Sequence, residues 1–108
     1  MLAIPAAFNA STGRAHWDVL VRSRAIENNA YVVAAAQVGS TPEGIDTYGH
    51  SLIVDPWGVV LAEAQSAGPE VLVAELDMDE VARRRGQIAV MELRRPRLYG
   101  LPVRIFDP

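Results

Sequence analysis

Tyr31-Val32-Val33-Ala34-Ala35-Ala36-Gln37 is a continuous apolar run of strand length. Such a run predicts a central strand buried on both faces, as in a sheet covered by other layers. Working outward on the C-terminal side, Val38 to Thr47 holds Gly39, Pro42 and Gly44 and reads as a loop. His50-Ser51-Leu52-Ile53-Val54 and Val59-Val60-Leu61-Ala62-Glu63 read as two strands. Between them, Asp55-Pro56-Trp57-Gly58 has the residue order that a type I turn prefers, so the pair predicts a hairpin. Ala64 to Pro69 reads as a second turn, and Glu70 to Leu76 as a further strand with Val71, Val73 and Glu75 on one face.

On the N-terminal side, Asn9-Ala10-Ser11-Thr12-Gly13 is a turn cluster in which Ser11 or Thr12 is placed to cap a helix. The helix is expected from about Arg14 to Asn28, ending at Asn28-Asn29, residues that tolerate the left-handed conformation. Trp17, Leu20 and Val21 form one apolar stripe, while Ala15, Val19 and Ile26 fall on another side, with His16, Arg24 and Glu27 between. That pattern predicts a helix covered on more than one side, with another subunit as one source of cover. Before it, Leu2 to Phe8 reads as a short strand with Pro5 at its exit. Towards the C-terminus, Asp77 and Glu80 have capping-box spacing and open a short helix ending near Gly86. Pro96, Pro102 and Pro108 forbid a long helix beyond it. The elements together predict an α/β chain, its sheet packed by helices on one face.

Composition removes several chemistries. The 108 residues suit one small domain, and a net charge of −3 gives no global case for nucleic-acid binding. No apolar run approaches the roughly 18 residues that span a bilayer, and the first residues lack the basic start and long apolar stretch of a signal peptide, so a cytoplasmic location is expected. There is no cysteine, and all ten basic residues are arginine. Disulfides, thiolate metal sites, cysteine nucleophiles, Schiff bases and a phosphate-loop lysine are therefore absent from this chain. Residues 83–108 carry seven arginines against Glu92 and Asp107, whereas the first 82 carry three against eleven acids. The basic segment is expected to pack on an acidic body, to face solvent, or to meet a partner subunit.

The residues give no self-contained active site. A serine triad would draw on His16, His50, Ser11, Ser51, Asp18 and Asp55, but adjacent residues on a strand leave from opposite faces, so His50 and Ser51 are not expected to pair. No His-x-x-x-His or acidic loop offers a metal site, and no cofactor motif is present. Asp18–Arg22 and Arg24–Glu27 have the spacing of local ion pairs.

Several stretches nevertheless fall in one family order: Pro5-Ala6-Ala7-Phe8, Thr12-Gly13-x-Ala15-His16-Trp17, Arg22-x-Arg24-Ala25-Ile26-Glu27-Asn28, Tyr31 to Gln37, Tyr48-Gly49-His50-Ser51, Val54-Asp55-Pro56-Trp57-Gly58, and Arg94-Arg95-Pro96-Arg97-Leu98-Tyr99. They resemble the second half of a carbon–nitrogen hydrolase of the nitrilase superfamily, nearest the amidase branch that includes omega-amidases. The resemblance implies the C-terminal part of an αββα sandwich, about five strands with one long and one short helix. Residues 1–77 would be the C-terminal portion of the hydrolase domain, and 78–108 a short helix plus an Arg-rich arm.

The resemblance also implies hydrolysis of nitriles or amides by a Glu–Lys–Cys constellation that maps to no residue of this chain; Glu27 and Glu63 match non-catalytic positions. What carries over is supporting structure: Phe8, Asn9 and Thr12 near the substrate pocket, and His16, Trp17, Leu20, Arg24 and Glu27 at a dimer face. The expectation is a hydrolase portion inactive alone, with a homo-oligomer or the missing N-terminal half as partner and a small amide as substrate once completed. The alternatives are a split hydrolase completed by a Cys-bearing chain, and a non-catalytic oligomerisation module. The half-sandwich is expected to be weakly stable, with a bare apolar sheet face and an unpaired edge at Leu2.

Overall fold

The computed structural model describes residues 1–65 and 68–99. Strand β1 (Leu2–Ala6) leads into helix α1 (Ala10–Asn28) and back to β2 (Val32–Ala36), and the two strands pair in parallel with Leu2 against Val32 and Ala6 against Ala36. After β3 (Val38–Ser40) and β4 (Asp46–Tyr48), strand β5 (Leu52–Val54) pairs antiparallel with β2, and β6 (Val60–Glu63) with β5. The main sheet therefore runs β1-β2-β5-β6, and β3-β4 is a separate two-stranded ladder. Helix α2 (Met78–Gln87) and a 3-10 turn at Pro96–Tyr99 follow.

One sheet face makes the core. Val32, Ala34, Leu52 and Val54 are buried against Trp17, Val21 and Ala25 of α1, with Ile4, Ala6, Phe8, Ala36, Tyr48 and Val60 packed around them. The opposite face carries Ala3 and Pro5 of β1 in register with Val33 and Ala35 of β2, and Val33 lies beside Ile53. None of these five is charged, and Ala3, Pro5 and Ala35 are exposed. The apolar run 31–37 thus forms the expected inner strand, but its second face is covered only in part within the described residues: Tyr31 and Ile53 are buried and Val33 half-buried, while Ala3, Pro5 and Ala35 are open. Pro5 sits inside β1 rather than at its exit. Leu2 donates to the Tyr31 carbonyl and Ala6 accepts from the Gln37 N–H, so alternate residues face β2 and the missing donor of Pro5 falls on the free edge.

Three local predictions need correction. Asn9, not Ser11 or Thr12, caps α1: its side chain accepts from the Ser11 N–H at 2.9 Å, and the helix begins four residues earlier than expected. Residues 38–47 are a hairpin, not a loop; Gly44 at φ 79° turns the chain, its N–H donating to the Thr41 carbonyl, and the Thr47 hydroxyl donates to the Gly39 carbonyl across the ladder at 2.7 Å. Residues 70–76 alternate between half-buried and exposed like a strand, yet join no ladder, and Val71 and Val73 stand 88% and 85% exposed. Among the described residues the strands number six, four in the main sheet and two in the small ladder, close to the about five expected.

The helix ends and the β5–β6 turn follow the sequence. Asn29 is left-handed at φ 43°, and its N–H closes on α1 carbonyls. Gly58 at φ 86° donates to the Asp55 carbonyl at 3.0 Å, and the Asp55 carboxylate accepts from the Trp57 and Val59 N–H groups. Asp77 caps α2 through the Asp79 N–H. Glu80, however, bonds Arg83 and Arg84 instead of returning to the cap, so the box is one-sided. The start of α2 is tied to the sheet by the Tyr31 hydroxyl, which donates to the Asp77 carbonyl, and by the Arg84 guanidinium lying 4.2 Å over the Trp57 ring. Of the Arg-rich arm, Pro102, Arg104, Asp107 and Pro108 lie outside the described residues, as do Ser66 and Ala67 of the expected second turn.

Candidate functional site

A cleft of about 490 Å³ opens at the carboxyl ends of β1 and β2, where α/β sheets place their ligands. Its walls are small and apolar, with Pro5, Ala6, Ala35 and Ala36 among them; its polar lining comes from Gln37, His50, Ser51, Gln65 and Glu70. The parallel β1–α1–β2 unit builds the floor, and the approach to β5 brings His50 and Ser51 onto it.

These two residues precede β5 instead of lying on it, because Gly49 and His50 are both left-handed, at φ 70° and 55°. Ser51 is fully engaged: its hydroxyl accepts from the Ala36 N–H at 3.0 Å and donates to the Ala36 carbonyl at 3.3 Å. It is a clamp between strands, with no base to make it a nucleophile. His50 is held at three points. The Trp17 indole donates to its carbonyl at 2.6 Å, the Tyr48 ring stacks on its imidazole with centroids 4.3 Å apart, and its Nδ1 lies 3.0 Å from a Glu63 carboxylate oxygen.

Phe8 and Asn9 on the turn after β1, and Thr12 in the first turn of α1, do not line this cleft. Phe8 packs its ring 5.4 Å from that of Trp17, and its carbonyl accepts from the Tyr48 N–H. The Asn9 side chain is occupied by the cap, and the Thr12 hydroxyl donates to the Asn9 carbonyl at 3.3 Å. Along α1, His16, Leu20, Arg24 and Glu27 are exposed on one side. Trp17 is not with them. It is 3% exposed in the core, since the buried positions Gly13, Trp17, Val21 and Ala25 repeat every four residues and leave Leu20 outside. The ion pairs Asp18–Arg22 (3.5 Å) and Arg24–Glu27 (2.8 Å) are present.

Sequence reasoning missed Gln37, Gly49 and Glu63 as site residues. Tyr48-Gly49-His50-Ser51 carried the signal for one of them: a glycine before the histidine marks a chain reversal that a regular strand would not need.

A second, acidic hollow lies at the foot of α2 among Tyr31, Asp55, Glu75, Asp77 and Glu80. Burial raises the Tyr31 phenol, and the Asp77 and Asp55 charges raise it further. Arg83 holds the Asp77 and Glu80 carboxyls below their usual range through hydrogen bonds. Among the described residues no helix is long and apolar enough to cross a membrane.

Comparison with known proteins gives a consistent answer. Residues 2–85 match the model of the carbon-nitrogen hydrolase family. The deaminated glutathione amidase of Bos taurus is 50% identical over 100 residues, covering 93% of this chain and 30% of that protein. The crystal structure of the Caenorhabditis elegans NitFhit protein aligns with a TM-score of 0.73 at 43% identity, over 90% of this chain and 24% of that one. Saccharomyces cerevisiae Nit3, a member of branch 10 of the nitrilase superfamily, aligns with a TM-score of 0.75 at 38% identity, over 87% and 35%. The chain thus spans about a third or less of the length of these relatives.

Proposed function

This chain belongs to the carbon–nitrogen hydrolase family, and we propose that it supplies one wall of an amide-hydrolysing site whose reactive groups reside on an amino-terminal portion. The observation that carries the proposal is a pairing of opposites. A cleft stands at the carboxyl ends of β1 and β2, in a chain half identical to an amidase. Yet the 108 residues contain neither the cysteine nor the lysine that the family resemblance requires. Ser51 does not replace the thiol, because its hydroxyl is held by Ala36.

The bare sheet face supports the same reading. Its exposed residues Ala3, Pro5 and Ala35 are uncharged and small or flat, with Val33 half-buried beside them, which lets a second sheet approach to about 10 Å. The free edge of β1 gives the amino-terminal portion a strand to extend. The substrate is a small amide, Phe8, Asn9 and Thr12 lie at the rim of the completed pocket, and the assembly acts in the cytoplasm. The exposed stripe of His16, Leu20, Arg24 and Glu27 is the surface for a second copy, which also supports the reading as an oligomerisation module.

The test is amide hydrolysis by the purified chain, alone and mixed with a Cys-bearing amino-terminal portion of the family. The expected result is no turnover alone and thiol-sensitive turnover in the mixture. Turnover by the chain alone, untouched by thiol-blocking reagents, overturns the proposal. A soluble, monodisperse dimer that stays inert in the mixture favours the oligomerisation module instead.

A further inference from the structure

We propose that His50, oriented by Glu63, is the hydrogen-bond acceptor in the cleft that reads the N–H of a small uncharged carboxamide. The inference rests on the amidase reading above and adds to it a residue outside the Glu–Lys–Cys set.

The geometry points there for four reasons. His50 is a non-glycine residue at φ 55°, a backbone conformation that L-residues seldom adopt and that concentrates at functional positions. That conformation is locked at backbone and ring, by the Trp17 indole donating to the carbonyl and by the Tyr48 ring stacked on the imidazole. Glu63 then fixes the tautomer. An ionised carboxylate only accepts, so the neutral imidazole carries its proton on Nδ1, 3.0 Å from the Glu63 oxygen. Nε2 is left as an acceptor, with no donor on it among the described residues.

The cleft itself selects the ligand. The small walls from Pro5 to Ala36 admit a short apolar chain, and Gln37 offers both a donor and an acceptor to an amide. Glu70 lines the cleft and Glu63 stands behind His50, so negative charge disfavours an anionic group at this end. An uncharged amide N–H meets the Nε2 acceptor without that penalty.

The experiment is imidazole nitrogen NMR on the 108-residue chain, labelled at histidine and assembled with an unlabelled amino-terminal portion of the family whose cysteine is replaced by alanine, with acetamide and acetate as probes. The labelled chain has only two histidines, and His16, exposed on α1, serves as the internal control. The expected result is His50 in the Nδ1–H form and shifted by acetamide but not by acetate, with His16 unmoved. Glu63→Val removes the acceptor while suiting a strand, and is expected to weaken acetamide binding roughly tenfold. His50→Asn tolerates the left-handed backbone and is expected to abolish it. His50 in the Nε2–H form, equal response to acetate, or unchanged binding in Glu63→Val overturns the assignment. Acetamide binding without turnover in the Cys-bearing assembly leaves His50 in place and removes the hydrolase reading; turnover with a silent His50 does the reverse.

Discussion

At the scale of single residues, the cleft depends on one position with no side chain. A Cβ on Gly13 would meet Cγ of Tyr48 well inside van der Waals contact, at the root of the ring that stacks on His50. Alanine is the better helix former by about 1 kcal/mol, but overpacking a fixed aromatic costs roughly 1–3 kcal/mol. Gly13→Ala is therefore expected to lower stability by about 1 kcal/mol and to move the His50 ring resonances. Thermal unfolding checks the first effect. Truncating Tyr48 to alanine in the same background should make the Gly13→Ala change harmless, so the double-mutant cycle isolates the clash. Asn29 is a contrasting residue. It closes α1 in the left-handed conformation, and its amide donates to the Ile26 carbonyl, but its buried Oδ1 has no partner among the described residues. The sequence announced Asn29 because Asn tolerates that backbone, whereas nothing local to Gly13 announces a ring arriving from residue 48.

At the scale of elements, α2 is held more by charge than by burial, since none of its residues is buried. Asp77 and Glu80 have folded pKa values below their usual range, with hydrogen bonds from Arg83 as the leading cause. A depressed carboxylate contributes stability that is fully present above its unfolded pKa of about 4 and is lost as pH falls through the folded value. Helix α2 is expected to keep its protection at neutral pH and to fray below about pH 4, while α1 persists. Arg83→Gln should move that fraying to higher pH, and residue-resolved amide exchange against pH measures both. The capping aspartate was legible because it acts through the next residues in sequence, and the β5–β6 hairpin was legible for the same reason. Segments whose strand propensity and actual pairing disagree were not. Residues 70–76 have strand alternation without a ladder to join, whereas Val38–Ser40 and Asp46–Tyr48 pair despite carrying only short and partly polar segments.

At the scale of the whole molecule, the surface is too large for a closed monomer. It measures 7861 Å², against about 5,900 Å² expected of a compact 11.7 kDa protein, and the radius of gyration is 16.5 Å where about 13 Å would be usual. Two open surfaces contribute, the sheet face around Ala35 and the α1 stripe around Leu20, which is 44% exposed. A chain with one self-complementary surface closes into a dimer, while a chain with two different ones extends into longer assemblies unless a second two-fold axis closes them. The isolated chain is therefore expected to sediment as a broad distribution. Ala35→Glu puts a charge on the bare face and should collapse that distribution to a single dimer held by α1. Adding Leu20→Glu should then yield a monomer. Sedimentation velocity distinguishes the outcomes, because a monomer from Ala35→Glu alone would mean that α1 holds no second copy. A distribution untouched by either change would place the association on the β1 edge, whose outward backbone groups neither substitution alters.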